Sequence, residues 1–444
     1  MASIPPNLLV DVVGRSDDDV VDRLGDDRFV SLPAIELDVS AATAAGVTEA
    51  YAAALDDGER LIEDAVGTAP TRALHIVDEP LSGAGAQFLR DLGVGYLVMT
   101  PERYDSTFGT ELPDTDRFVR VVLPDDGNVP LLVVDPIGED FAPARADELL
   151  ADATPTEWAV RTVATAVLEH RRAGQTIRRS RLIALDSYAA PDPRLVNAFA
   201  EMAATTPDLD VVDATEFVDA TDVQRAPGGR TLVLPERAGP DLTERLETID
   251  ATRLLLASTG SMLVDDGDAR ALEWNTQLDG LISTGVLDRE AASTIAQLAQ
   301  EADSIRTSVV PPDPFTFTLT GRSDDITIRV GNRGTEPLDV VVHLESPKLT
   351  FPTNDLRVRL RPNDTTDVRM TVDARSNGTS PVSVEIRTPL GDTLAEPVTL
   401  TSRVNALTGL GQVLTGAFVL VLGTWWFTNW RQRRRDEVVA TTAG

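Results

Sequence analysis

The stretch LHIVDEPLSGAGAQFLRDLGVGYLVM, residues 74–99, decides the fold of the N-terminal half of the chain. It opens with an apolar run at 74–77, continues through an amphipathic segment at 83–91 and closes with a second apolar run at 96–99. Short apolar runs bounded by turn residues are typical of strands, and the segment between them has helical spacing. Because a helical crossover joins parallel strands, the stretch predicts a parallel strand–helix–strand unit.

The same alternation continues on both sides of this unit, over residues 1–235. Further strands are predicted at 8–13, 34–38, 119–123, 131–134, 182–185, 211–212 and 232–234. Further helices are predicted at 41–66, 157–173 and 193–204. We therefore expect an α/β domain, either an open sheet or an incomplete, barrel-like form.

The period of the apolar residues changes twice after this domain. Residues 236–310 show helical spacing, which predicts a helical layer packed on the α/β domain. After the proline-rich break at 309–314 the period becomes two. Seven strands are predicted at 315–320, 326–330, 340–344, 356–360, 368–372, 382–386 and 398–401. Short alternating strands separated by turns predict an immunoglobulin-like β-sandwich over residues 311–404, without a disulfide.

The C-terminal region carries an apolar segment. Residues 407–428 contain no charged side chain, tryptophans crowd the end of the segment, and an arginine cluster follows at 431–435. At about 1.5 Å per residue the segment matches the hydrocarbon thickness of a bilayer. The pattern predicts one transmembrane helix at 405–430, a cytoplasmic basic tail at 431–444 and an N-terminal ectodomain outside the cell. The alternative is a buried core helix.

The N-terminal residues MASIPPNLLVDVV do not have the pattern of a signal peptide. They lack a basic start, and Asp11 interrupts their apolar run. Since an exported ectodomain requires such a signal, we expect a missing N-terminal portion that includes it.

Composition excludes some classes of function. The net charge is −31, so the surface repels phosphate backbones and nucleic acid is not an expected partner. The chain has no cysteine, which excludes disulfides, thiolate metal sites and thiol catalysis. The abundance of Asp and Arg suits codon bias in a GC-rich genome, and a salt-adapted surface is the alternative explanation.

Candidate catalytic residues lie where predicted strands end. They are Asp38, Asp78, Glu79, Asp135 and Asp186. The carboxyl edge of an α/β sheet is where such folds place their sites, and two carboxylates on one rim suit glycoside hydrolysis. The competing interpretation is that these side chains cap the helices that follow the strands.

No metal or cofactor site is predicted from sequence motifs. The three histidines, His75, His170 and His343, have no metal-ligand spacing, although His75 lies in a strand that ends in two carboxylates. No phosphate-binding glycine loop follows a predicted strand, and no G-x-S-x-G motif is present. We expect neither a cofactor nor a nucleotide.

Several stretches resemble a family of uncharacterised actinobacterial envelope proteins that are often encoded near the lipid II flippase. The resembling stretches are LDVSAATAAGV (37–47), FLRDLGVGYLVM (88–99), SRLIALDSYAAPDPRLV (180–196), FTLTGRSDDITIRVGN (317–332) and the region 372–435. The resemblance implies a polysaccharide-deacetylase-like barrel, an immunoglobulin-like domain and a membrane helix. The H-x-x-x-H metal motif of deacetylase barrels is absent, so the resemblance favours a non-catalytic barrel.

Two functions are therefore expected. The first is a membrane-anchored, non-catalytic envelope protein. Its expected binding partner is either a cell-wall glycan or a membrane protein of cell-wall synthesis. The alternative is an envelope polysaccharide hydrolase or deacetylase that uses the rim carboxylates. Carboxylates gathered in one cleft favour the enzyme, and carboxylates that serve as helix caps favour the binding protein.

Overall fold

The structure is a computed structural model that describes residues 2–16, 24, 28–109, 117–172, 177–184, 191–207, 209–224, 230–265, 267–405 and 409–440. The chain divides into two compact units. The first comprises Met1–Glu247 and Gly280–Asp288, and the second comprises Thr248–Asp279 and Arg289–Gly444. The first unit is α/β, and the second is built on a β-sandwich.

The sheet of the first unit has five strands in the described residues, in the order β1-β2-β4-β3-β5. The strands are β1 (Leu74–Ile76), β2 (Tyr96–Met99), β3 (Phe118–Val122), β4 (Asn128–Val133) and β5 (Leu232–Val233). Strands β1, β2 and β4 are parallel, whereas β3 is antiparallel to β4 and parallel to β5. The expected barrel-like form is not found in this sheet, because closing a barrel of this type requires about eight strands.

The helices of the first unit begin mostly at prolines or capping side chains. They are α1 (Pro6–Val13), α2 (Val39–Ala44), α3 (Thr48–Val66), α4 (Gly83–Asp91), α5 (Pro101–Phe108), α6 (Pro143–Leu150), α7 (Pro155–Arg172), α8 (Pro193–Thr205) and α9 (Phe217–Ala220), with a 3-10 helix at Pro136–Phe141. Ser82, for example, accepts a hydrogen bond from the Gly85 amide at 3.0 Å. Such caps satisfy amides that have no partner within the helix.

Four predicted strands differ in the structure. Residues 8–13 belong to helix α1, because Pro6 favours a helix start and only Leu9 of this run is fully buried. Residues 34–38 join no sheet, since the Ala34 amide donates instead to the Ala54 carbonyl of α3 at 2.7 Å. Residues 182–184 and 211–212 also form no strand. Predicted helix 41–66 is two helices, because Gly46 adopts a φ of 75° just after α2.

An aromatic cluster fills the core on one face of the first sheet. Tyr96 of β2 stacks on Phe217 with 5.5 Å between ring centroids, and Phe118 of β3 meets Phe217 edge-on at 5.2 Å. The Tyr96 hydroxyl donates to the Ala214 carbonyl at 2.9 Å, so its buried polar atom is satisfied. This packing holds the central strands, and with them the neighbouring β1, in place.

The helices that follow the α/β region group mainly with the sandwich. They are α10 (Thr243–Gly260), α11 (Gly267–Gly280) and α12 (Asp288–Thr307). Met262 is fully buried in the sandwich core, and its carbonyl accepts from the Asp339 amide at 2.7 Å. Arg270 forms two hydrogen bonds with Glu336 at 3.1 and 3.0 Å. The structure thus differs from the expected layer at 236–310 on the α/β domain, since most of these residues belong to the second unit.

The sandwich consists of two sheets, ordered β10-β12-β8-β6 and β11-β9-β13-β14-β7. Its strands are β6 (Val309–Val310), β7 (Thr316–Leu319), β8 (Ser323–Asn332), β9 (Leu338–Glu345), β10 (Leu349–Thr350), β11 (Asp355–Leu360), β12 (Asp364–Ala374), β13 (Gly378–Arg387) and β14 (Val398–Val404). Each of the seven predicted strands overlaps one of these. Alternate residues face the core: Ile328 pairs with Val368 across β8 and β12, and both are buried.

The last described element is α13 (Gly409–Ala440). In the part of the chain that the structure describes, no helix is long and apolar enough to span a bilayer. The predicted transmembrane helix at 405–430 is therefore wrong. The single-pass localisation and the membrane as a partner, which rested on that helix, are not supported.

Candidate acidic binding site

A cavity of about 430 Å³ lies at the carboxyl end of β1 in the first unit. Its polar lining includes four carboxylates, and its remaining lining is largely apolar. The carboxylates are those of Glu36, Asp38, Asp78 and Glu79, and other lining residues are Pro5, Pro6, Asn7, Leu32, Pro33, Leu37, Val39, Tyr51, His75, Ile76, Leu81 and Thr284. The volume falls in the range of about 300–1,000 Å³ that is usual for ligand pockets.

The segment from Leu32 to Asp38 forms one wall of the cavity. It can lie against helix α3 because Gly58 has no side chain: a Cβ at this position would be 2.0 Å from the Leu32 carbonyl oxygen. The Asn7 amide group donates to the Ala34 carbonyl at 2.7 Å and ties α1 to the same segment. Two helices thus fix the backbone that carries Glu36 and Asp38.

Asp38 is held by three contacts. Its carboxylate accepts from the Ala41 amide at 2.6 Å and caps helix α2, and its own amide donates to the Thr284 hydroxyl at 3.1 Å. Gly239 approaches so closely that a Cβ there would be 2.3 Å from the Asp38 carboxylate. The position of this carboxylate is therefore fixed before any ligand binds.

Asp78 and Glu79 follow directly on β1. The Val77 amide donates to the Val98 carbonyl at 2.8 Å, which holds the end of the strand against β2. Arg103 of α5 donates to the Asp78 carbonyl. Burial raises the pKa of the Asp78 carboxyl, and the Arg103 charge partly offsets that rise. The strand end thus places two consecutive acidic residues at the cavity.

Glu79 and Asp38 both line the cavity, and the charge of Asp38 acts on the Glu79 carboxyl. Burial raises the pKa of Glu79, and the negative charge of Asp38 and its hydrogen bond raise it further, with smaller contributions from Glu36 and Asp78. Like charges in one site favour protonation of one of them. A carboxyl group whose pKa is raised by burial and by neighbouring like charges inside a cavity is a candidate functional group.

Tyr51 and His75 complete the polar lining. Tyr51 of α3 is only 2% exposed, and burial followed by the Asp38 charge raises the pKa of its phenol. Burial lowers the pKa of the His75 imidazole to about 4, so this ring is neutral at pH 7. His75 therefore adds no positive charge that would balance the carboxylates.

Replacing Glu79 by glutamine is expected to stabilise the unliganded protein at pH 7. The pKa of Glu79 is raised on folding, so the protonated form favours the folded state and stability is lost as pH rises through the folded pKa. Glutamine removes this repulsion, and the gain is below about 1 kcal/mol because the side chain is largely exposed. Thermal unfolding at pH 7 and below a pH of about 4 measures it. The two proteins should converge at the lower pH, and a less stable variant at pH 7 contradicts the assignment.

Three of the predicted site residues are brought together: Asp38, Asp78 and Glu79 all line the cavity. The same site contains residues that were not predicted, namely Glu36, Tyr51 and Thr284. The predicted residue Asp186 lies outside the described residues. Glu36 could have been suggested by its position in the same segment as Asp38, whereas nothing in the spacing indicates that Tyr51 or Thr284 comes near.

Asp135 has a structural role instead. Its carboxylate accepts from the Ile137 amide at 3.0 Å and caps the 3-10 helix. It also accepts from Arg181 at 2.9 Å, while Arg117 lies 4.0 Å away. The side chain is 5% exposed and does not line the cavity. The helix-capping interpretation thus fits Asp135. Asp38 has both properties, because it caps helix α2 and also lines the cavity.

The other two histidines do not line the cavity. His343 belongs to the sandwich, where it contacts Asp355 at 2.7 Å, and His170 lies near the end of α7. In the described residues no group of three or more His, Asp or Glu side chains is arranged to hold a metal ion.

Three solved structures each resemble this chain over 22% of its length. A PapD-like domain of human CEP192 is 18% identical, covering 22% of this chain and 87% of that one at a TM-score of 0.17. SSP-19 of Caenorhabditis elegans, an MSP-domain protein like family member, is 17% identical; the match covers 22% of this chain and 99% of that one at a TM-score of 0.17. The native alpha-2-macroglobulin of Escherichia coli is 17% identical; the match covers 22% of this chain and 16% of that one at a TM-score of 0.17. At these scores the likenesses carry no conclusion.

Sequence comparison is informative at the level of the family. No curated protein matches the chain. The profile of the family of unknown function DUF6049 matches residues 19–437, which is most of the chain. The protein belongs to the DUF6049 family.

Proposed function

We propose that this protein is a non-catalytic glycan-binding factor in cell-wall assembly and that its α/β unit binds the glycan in the acidic cavity. The observation that carries the proposal is that four carboxylates, among them Asp38 and Glu79, line one cavity whose remaining lining is largely apolar. The resemblance to actinobacterial envelope proteins encoded near the lipid II flippase supports the connection with the cell wall.

The lining of the cavity suits a sugar ring. A pyranose presents hydroxyl groups around its edge and apolar C–H groups on its faces. Carboxylate oxygens accept hydrogen bonds from hydroxyls, and bonds to charged groups are the stronger ones. The apolar residues, such as Leu37 and Leu81, offer surface to a ring face.

The geometry favours binding over hydrolysis. Glycosidases keep their two carboxyl groups about 5–5.5 Å or about 6.5–9.5 Å apart, so that a sugar or a water fits between them. Each of these roles needs a carboxyl group that is free to contact the sugar or the water. The Asp38 carboxylate is instead committed to the Ala41 amide, from which it accepts a hydrogen bond at 2.6 Å.

A hydrolase or deacetylase is the second candidate, and one observation favours it. The raised pKa of Glu79 is the property that a general acid requires near neutral pH. A metal-dependent deacetylase is less favoured, because the described residues contain no metal-ligating cluster. Binding and turnover therefore have to be measured together.

The test is calorimetric titration of the full-length chain with hexasaccharides of N-acetylglucosamine and of glucosamine, followed by assays for released reducing ends and released acetate. We expect at least one hexasaccharide to bind and neither product to appear. Failure of both sugars to bind contradicts the proposal, and steady release of either product establishes the enzyme instead.

The Asp38→Asn variant connects binding to the cavity. Asparagine caps helices about as well as aspartate, so α2 should remain intact while the charge is lost. Losing a hydrogen bond to a charged group should weaken binding about 10-fold or more. The matched control is Asp64→Asn on the exposed face of α3, which should bind like the wild type. Equal affinity of Asp38→Asn and the wild type would show that the sugar binds elsewhere.

A further inference from the structure

The acidic cavity contains no balancing cation in the described residues. Four carboxylates line it, whereas no Arg or Lys is among its described lining residues. The nearby arginines have other partners: Arg103 donates to the Asp78 carbonyl, and Arg72 pairs with Glu59 and Asp56. The site therefore holds an excess of negative charge.

Tyr51 provides a second, independent indication that the cavity takes a polar ligand. Its side chain is 2% exposed and lines the cavity, and no hydrogen bond links its hydroxyl to a residue that the structure describes. The hydroxyl oxygen is not fully enclosed by the protein, so it is open to a group inside the cavity. A ligand group between Tyr51 and Asp38 would supply a partner and contact a carboxylate at the same time.

We infer that the bound glycan carries a free primary ammonium group, as in a deacetylated amino sugar, and that Asp38, Glu79 and Tyr51 receive it. This inference rests on the proposed glycan-binding function and specifies its ligand class. An ammonium group has three N–H donors and no acceptor, so it matches two carboxylates and a phenol oxygen. N-acetylation removes the charge and adds bulk where the carboxylates lie.

The His75 side chain does not balance the charge of the carboxylates. The ring cannot act as the missing cation at pH 7, because burial lowers the pKa of its imidazole to about 4. The repulsion that raises the pKa of Glu79 thus persists in the unliganded site. Binding of a cation removes this repulsion, whereas binding of a neutral sugar leaves it.

The experiment compares the two hexasaccharides on the full-length chain in about 150 mM NaCl, where long-range attraction is screened. We expect the glucosamine hexamer to bind about 10-fold more tightly than the N-acetylated hexamer. Glu79→Gln should remove most of this preference. Equal affinity for the two sugars, or tighter binding of the acetylated one, overturns the inference.

A matched variant separates the site from general attraction of a polycation to a chain of net charge −31. Glu63→Gln makes the same chemical change on the exposed face of α3 and should keep the preference. Equal losses in Glu63→Gln and Glu79→Gln would overturn the inference. If the acetylated hexamer binds as well as the other and Asp38→Asn weakens both, the glycan role stands and the ammonium inference fails. If neither sugar binds, the proposed function itself fails.

Discussion

Replacing Asp135 by asparagine should lower the free energy of unfolding by about 3 kcal/mol. The Asp135 carboxylate is 5% exposed and accepts from Arg181 at 2.9 Å, with the largely buried Arg117 at 4.0 Å. Removing one member of a buried ion pair leaves the opposite charge without its partner, and this cost exceeds the net gain from the pair itself. Asparagine retains the cap of the 3-10 helix, so the decrease in the free energy of unfolding can be attributed to the loss of the negative charge.

Urea unfolding of the full-length chain, followed by far-UV circular dichroism, measures this effect. Asp64→Asn on α3 is the control, since its carboxylate is exposed and the substitution should change stability by less than about 0.5 kcal/mol. Arg181 also pairs with Glu169, which limits the loss by giving the guanidinium one remaining partner. An Asp135→Asn variant as stable as the control would show that the cluster contributes little.

The second large effect is expected for Gly58→Ala. An alanine inside a helix is ordinarily more stable than glycine by about 1 kcal/mol. At this position a Cβ would be 2.0 Å from the Leu32 carbonyl oxygen and 2.9 Å from the Ala34 amide nitrogen. Both atoms are backbone, so the whole wall segment has to move. We expect a net destabilisation of about 2–3 kcal/mol, because overpacking outweighs the helix propensity.

The same change should weaken saccharide binding, since the displaced segment carries Glu36 and Asp38. Thermal unfolding and calorimetric titration test the two consequences separately. Gly280→Ala is the matched control: it lies at the end of α11, where an added Cβ meets nothing within 4 Å. Unchanged or increased stability of Gly58→Ala would contradict the close packing of α3 against the wall.

The strands of the sandwich were the most predictable part of this fold. In β8, β9, β12 and β13 of the sandwich, one face is buried and the other exposed, so the alternation of apolar residues is visible in the sequence. The unit from β1 to β2 was predictable because turn residues separate two short apolar runs. Residues 8–13 were mistaken for a strand because a short apolar run fits a strand as well as a helix.

Long-range grouping could not be predicted in the same way. Helices α10 and α11 show little separation of apolar and polar faces in the sequence, so nothing in their spacing specifies which domain they cover. The apolar segment near the C-terminus was predicted to span a membrane from its length and the arginine cluster that follows it, but no helix among the described residues is long and apolar enough to do so. Periodicity identifies an apolar surface and does not identify the surface that it contacts.

The candidate site was partly predictable for a physical reason. Asp78 and Glu79 follow a strand whose carboxyl end lies at the site edge of the sheet, and Asp38 precedes a helix that it caps. Tyr51 was not predictable, because its contribution depends on how one turn of α3 faces the cavity. Asp135 had the same sequence context as the others, and its role as an ion-pair partner depends on Arg181, 46 residues away.

Hydrogen exchange of the full-length chain, followed by mass spectrometry with and without the glucosamine hexamer, tests most directly whether the cavity is the binding site. We expect slower exchange in peptides that cover residues 34–39 and 75–81, with little change in the sandwich strands. Saturating sugar that slows exchange only outside these two segments, or nowhere in the chain, would show that the cavity is not the binding site.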